Sequence, residues 1–284
     1  MAGYRAVIDH DGVKFFTKVY VGRYAGILHK RIALLSEAIS RVVRLAATGA
    51  RSVEELTNQL LNRGVAVTVS ICHTRVTDGG VIEDRSLTLI YPYVEGSSLY
   101  DLASADGGKM PLSKAKEAYC AFVEAASLVE SAGVIHGDLN PGNVLYRSLG
   151  GHLRAVVIDF DGAITKVKIK MGLGPAFVFN IDEGNVVLKP AEDLYALDNI
   201  KYIDYAQLVY DGLEFLLRSE VADVVEKTDF TRPVEKDSAR ALADALGGRF
   251  VEHVNRVINA DFRGLDPAPI RRLLEDLKGD GVCR

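Results

Sequence analysis

Cysteine is scarce in this chain of 284 residues. Cys72, Cys120 and Cys283 are odd in number and far apart. That argues against a disulfide framework or a zinc site and fits a reducing cytosol. A large excess of one charge is also missing. There are 34 Lys and Arg against 38 Asp and Glu, a net charge of −4, so bulk nucleic-acid binding is not expected. No run of about twenty apolar residues occurs, so no membrane span is expected. The start shows no basic segment followed by an apolar run, so no signal peptide is expected either. Internal repeats and low-complexity tracts are absent. These exclusions leave a cytoplasmic globular protein. With 48% hydrophobic and 25% charged residues, the chain has material for a real core. Its length fits one large domain or two small lobes.

What is present centres on His136-Gly137-Asp138-Leu139-Asn140-Pro141-Gly142-Asn143-Val144-Leu145. This is a polar loop between two apolar elements. Leu112 to Ala132 is amphipathic and reads as a helix closed by Gly133; Asn143 to Tyr146 reads as a strand. Asp138 and Asn143 lie five apart on a loop that Pro141 and Gly142 force to turn. A second carboxylate closes an apolar run in Val156-Val157-Ile158-Asp159-Phe160-Asp161-Gly162. A base, an amide and a strand-end carboxylate can converge on one phosphate–metal site.

Before this loop, Arg5 to Ile8 and Val13 to Tyr20 read as strands, with Asp11-Gly12 as the hairpin signal. Val21 to Ala50 is helical in pattern, with Ile32, Leu35, Ile39, Val42 and Leu45 on its apolar face. It carries Arg23, Lys30, Arg31, Arg41 and Arg44 but a single acid, Glu37. Ser52-Val53-Glu54-Glu55 is a capping box opening a helix through Leu61. Val65 to Val76 and Val81 to Tyr91 read as paired strands around Asp78-Gly79-Gly80. Beyond Val221 the pattern is helical, including Ser238 to Leu246, Phe250 to Ile258 and Ile270 to Leu277.

The central loop resembles the catalytic loop of the protein-kinase-like fold, H-R-D-L-x-x-x-N followed by D-F-G. Gly137 stands for the Arg, and Asp159-Phe160-Asp161 for D-F-G. The wording is most similar to the atypical branch, on the lipopolysaccharide-kinase and RIO side, with aminoglycoside-phosphotransferase-type features. The resemblance covers about Lys14 to Leu216. It implies an α/β (α+β), two-lobed fold: a small sheet-plus-helix lobe over residues 1–92 and a larger, mainly helical lobe over 93–284. It implies ATP and Mg²⁺, with Asp138 orienting the acceptor hydroxyl and taking its proton. Asp159 is then the main metal ligand and Asn143 holds a second metal. Lys18 is the cation on the ATP phosphates, held extended by Glu37 nineteen residues later; the plain alternative is a solvated strand lysine, with Lys14 as the fallback. Ile90 to Leu102 resembles the hinge, with adenine held by the Pro92 carbonyl and the Val94 amide; the plain alternative is a strand exit. His136 is expected to be structural, packing beneath the loop. Asp161 is either a further Mg²⁺ ligand or a turn cap. Asp204 resembles the aspartate that braces the catalytic-loop backbone. Pro190-Ala191-Glu192 is a permuted form of the kinase A-P-E; Thr165 to Lys170 alternates basic and apolar residues, which reads as a solvated strand or, as function, as a draw for an anionic acceptor.

One part of the pattern is missing. The G-x-G-x-x-G lid is missing, and too few residues precede Lys18 to hold two strands joined by such a loop: either the first strand is absent or the recorded start omits it. A shortened lid exposes the phosphates and keeps open an inactive nucleotide-binding scaffold. Against it stands the full set of Lys18, Glu37, Asp138, Asn143 and Asp159. The expected activity is phosphoryl transfer to a hydroxyl, as an atypical protein serine/threonine kinase or as a small-molecule (sugar or lipopolysaccharide-type) kinase.

Overall fold

Asp11 and Gly12 adopt φ of 53° and 81°. Two successive positive φ values make the tight turn that suits twisted strands. The turn joins β1 (Gly3–His10) to β2 (Val13–Tyr20), paired from Gly3↔Tyr20 to His10↔Val13. The computed structural model describes residues 3–78, 81–165, 200–230, 233–259 and 261–284. The 166–170 part of the basic alternation, Pro190-Ala191-Glu192 and the Gly79-Gly80 turn lie outside them.

β2 pairs antiparallel with β4 (Val81–Pro92), which pairs with β3 (Ser70–Asp78). The sheet order is β1-β2-β4-β3. The strand expected from Val65 starts only at Ser70. Val65 to Thr68 are buried and reach the other lobe: the Ala66 N–H donates to Val157 O and the Val157 N–H to Gly64 O, both at 2.9 Å. Val67, Val69 and Ile71 alternate with Thr68 and Ser70 as in a strand, so the pattern does not mark where the paired strand begins.

α1 (Gly22–Ala46) buries Leu35, Ala38, Ile39 and Val42 against this sheet and the core behind it. α2 (Val53–Asn62) opens as its capping box predicts, with Ser52 Oγ accepting the Glu55 N–H at 3.1 Å. The returning Glu55 carboxylate takes the Arg51 N–H, one residue earlier than the motif implies.

The remaining described helices are α3 (Leu99–Ala105), α4 (Leu112–Ser131), α5 (Ile203–Leu217), α6 (Ala222–Glu226), α7 (Lys236–Leu246), α8 (Gly248–Ile258) and α9 (Pro269–Gly279). Short strands β5 (Val134–Ile135) and β8 (Ile164–Thr165) pair with each other, as do β6 (Val144–Leu149) and β7 (His152–Val157). The core is built on α4. Tyr119 meets Phe215 and Phe250 at ring-centroid distances of 5.4 and 6.0 Å. α5 fits there because Gly212 has no side chain; a Cβ at that point sits 2.6 Å from Phe250 Cζ.

The sequence left the C-terminal region without a role, and the structure supplies one. α9 packs on α4, and Ile270, Leu273 and Leu277 are buried. Glu130 of α4 accepts the Ile270 and Arg271 N–H groups at 3.2 and 2.9 Å, satisfying the start of α9 from another helix. Cys283, just beyond α9, is disulfide-bonded to Cys120 of α4, with Cα atoms 5.5 Å apart. This corrects the reading of three unlinked cysteines. A separation of 163 residues carries no spacing signal, because the proximity exists only once α9 has folded onto α4. The argument from cysteine spacing to a reducing compartment lapses with it. No described helix is long and apolar enough to cross a membrane.

Candidate active site

The loop at 136–143 is built from the backbone outward. Gly137 has φ 83°, a conformation that glycine adopts freely and arginine does not. In that conformation the His136 and Gly137 N–H groups both donate to the Asp204 carboxylate of α5, at 2.6 and 2.8 Å. Gln207, one turn on, accepts the Leu139 N–H at 3.0 Å. His136 is fully buried; its Nε2 lies 2.9 Å from Ile158 O, and its ring meets Phe160 edge-on at 4.7 Å. It therefore pins the loop to the residues preceding Asp159.

Asp138 projects from this braced loop. Asn143 Nδ2 donates to Asp138 Oδ2 at 2.7 Å and Asn140 Nδ2 to Asp138 Oδ1 at 2.8 Å. Burial pushes the Asp138 carboxyl above the usual range, against the opposing effects of His136 and the two amides. The Asn143 carbonyl O accepts the Ile158 N–H at 2.9 Å. The loop and the approach to Asp159 are thus one hydrogen-bonded unit.

Asp159 is left-handed, φ 65° and ψ 55°. The reversal leads into a single turn, Phe160–Gly162, and sends Asp159 and Asp161 towards β2. Lys18 Nζ lies 2.5 Å from Asp159 Oδ1 and 3.3 Å from Asp161 Oδ2. Burial alone lowers the Lys18 amine, but Asp161 and then Asp159 outweigh it, and the net direction is upward. Asp159 is the nearer of the two and Asp161 the more buried. Burial raises the Asp161 carboxyl despite Lys18. The Lys18 ammonium and the Tyr91 hydroxyl both donate to this carboxyl.

Residues 11–171 match the family model described as "Lipopolysaccharide kinase (Kdo/WaaP) family", more than half of the chain. The chain belongs to this family. Among curated relatives, serine/threonine-protein kinase pkn2 of Myxococcus xanthus is 28% identical over 148 residues, 49% of this chain and 18% of that protein. Serine/threonine-protein kinase PknD of Chlamydia trachomatis serovar D is 29% identical over 169 residues, 54% of this chain and 15% of that protein. The chain spans less than a fifth of the length of either relative.

In this Kdo/WaaP-family chain the structure brings Lys18 to Asp159 and Asp138 to Asn143, and ties the two pairs through Ile158. It does not bring Glu37 to Lys18. Glu37 Oε1 takes Arg41 one turn along α1 at 3.2 Å, while the carboxylates on Lys18 are Asp159 and Asp161. The expected Lys18–Glu37 pair is therefore replaced, because the turn after Asp159 delivers a nearer, more buried acid. Asp161 lies against Lys18, a contact that neither reading of it, as metal ligand or as turn cap, included. Lys14 is exposed near the start of β2, whereas Lys18 is buried.

Pro92 ends β4 opposite Phe15, and the Tyr93 N–H donates to Lys14 O at 3.1 Å. The Val94 side chain is buried with Leu61, Ala66 and Val156. Its N–H has no partner among the described residues. Among those residues no three His, Cys, Asp or Glu side chains are grouped as a metal cage. The donors that remain are the Asp159 carboxylate and Asn143 Oδ1, whose amide nitrogen is committed to Asp138. One carboxylate and one amide oxygen suit Mg²⁺, which keeps several waters and phosphate oxygens in its shell.

Proposed function

We propose that this chain is an ATP- and Mg²⁺-dependent phosphotransferase acting on a hydroxyl group. The observation that carries the reading is the meeting of Lys18 and Asp159 at 2.5 Å beside an Asp138 held by Asn143. A cation, a metal-type carboxylate and a candidate base occupy one hydrogen-bonded unit built from separate parts of the chain. Phosphoryl transfer asks for positioning and charge neutralisation more than for covalent chemistry.

In this reading Lys18 holds phosphate oxygens of ATP, and Asp159 and Asn143 hold Mg²⁺. The metal, when bound, neutralises charge on the phosphate oxygens. Asn143 also orients Asp138, and Asn140 fixes its other oxygen. Burial makes Asp138 a better proton acceptor than a surface aspartate, suited to the acceptor hydroxyl. Pro92 offers a carbonyl and Val94 an N–H, unpaired among the described residues, to adenine, with the lobe boundary at Pro92. His136 is structural in this reading, supported by its burial and its contact with Ile158 O.

Two acceptor classes have support. The two bacterial relatives named serine/threonine-protein kinases favour a protein hydroxyl. The family description favours a sugar hydroxyl of lipopolysaccharide type. Terminally labelled ATP, offered with polypeptide and with sugar acceptors, separates them by where the label appears. Label on neither identifies a nucleotide-binding scaffold and overturns the reading. Asp138→Ala is expected to lower the transfer rate about 100- to 10,000-fold while leaving ATP binding intact; a variant as active as wild type removes Asp138 from the reaction.

A further inference from the structure

Lys18 has two carboxylate partners of different character. The Asp159 side chain is 28% exposed, and a metal ion can reach it. The Asp161 side chain is 8% exposed, and both of its oxygens are engaged. Oδ2 faces the Lys18 ammonium, and Oδ1 accepts the Tyr91 hydroxyl. Phe16 pairs with Tyr91 and Lys18 with Leu89 across β2 and β4. Residues two apart share a sheet face, so Tyr91 and Lys18 look the same way, towards Asp161. The turn that carries Asp161 is anchored by Phe160, which is fully buried against His136.

We propose that Asp161, steadied by Tyr91, is the residue that positions Lys18 for the nucleotide phosphates, the task that the kinase-like pattern gives to a helix glutamate. This deepens the phosphotransferase reading and rests on it. A buried carboxylate with no competing water holds its cation whether or not Asp159 is engaged elsewhere. When Asp159 turns to a metal ion, Lys18 keeps one partner and its place. Glu37 lacks that geometry. It is 35% exposed on α1 and bonded to Arg41. Asp161 acts through Lys18 and touches no reacting atom in this scheme; it is a positioning residue.

The test is a double-mutant cycle read by calorimetric titration of the full chain with ATP and Mg²⁺. Lys18→Met and Asp161→Asn are each expected to weaken binding roughly tenfold, and the double variant no further, because one acts through the other. Losses that multiply in the double variant mark Asp161 as a general structural residue and overturn the proposal. Glu37→Gln is expected to lose less affinity than Asp161→Asn; the reverse order restores the helix glutamate and also overturns it. Should Asp161→Asn fail to fold, Tyr91→Phe takes its place in the cycle, with the same expected non-additivity. A wild-type chain that binds no ATP defeats the phosphotransferase reading itself and the proposal with it. A wild-type chain that binds ATP while Asp161→Asn binds equally well defeats the proposal alone.

Discussion

Asp204 shows how a buried charge serves a site it never enters. Its two oxygens accept consecutive backbone N–H groups, and those bonds fix the loop that presents Asp138. Removing the side chain strands two buried donors, at about 1–3 kcal/mol each. Asp204→Ala is expected to lose about 3 kcal/mol of stability in a denaturant titration, and Asp204→Asn, which keeps one acceptor, distinctly less. Equal stability of Asp204→Ala and wild type contradicts the bracing role. Asp138, Asn143, Asp159 and Asp204 were legible in the sequence because their spacing is local or belongs to a known pattern. The Lys18–Asp161 contact was not, since it depends on the left-handed backbone at Asp159, which the residue type alone does not announce.

At the scale of elements, the ends and the joins carry the information. The Asp11-Gly12 hairpin, the Ser52 cap and the α4 amphipathic face followed directly from local chemistry. The break at Ser70 did not, because the alternation of Val67, Val69 and Ile71 with Thr68 and Ser70 runs straight across it. A third join links α5, α8 and α9: the Tyr205 hydroxyl lies 2.7 Å from His253 Nδ1, and His253 Nε2 lies 3.2 Å from Asp276 Oδ2. Burial holds His253 below its ordinary value, although Asp276 pulls the other way. The unfolded chain therefore takes up this proton first as pH falls. The stabilising contribution is present above about pH 6.5, the unfolded value, and is lost as pH falls through the lower folded value. Melting curves between pH 7.5 and pH 5 are expected to drop more steeply for wild type than for His253→Gln. Parallel slopes show that the imidazole does not set this limb.

For the molecule as a whole, the C-terminal segment closes the large lobe. α9 lies on α4 and the Cys120–Cys283 bond fastens it there, with Cys72 left as the free cysteine. Thiol titration of the unfolded chain is expected to find one thiol before reduction and three after. Loop-closure entropy for a loop this long sets a ceiling on the order of 5 kcal/mol for the stabilisation lost in Cys283→Ser. Three free thiols before reduction contradict the bond. Sequence could not foresee it, because long-range closure leaves no mark on local pattern, whereas the two-lobed kinase-like plan was legible from its central loop. The account stands or falls on Asp138, Asn143, Asp159 and Lys18 gathering around a metal-bound triphosphate. Calorimetric titration with ATP, with and without Mg²⁺, on wild type and Asp159→Ala tests this most directly. The account predicts tight binding only for wild type with Mg²⁺ present; binding that ignores both the metal and the Asp159 substitution contradicts it.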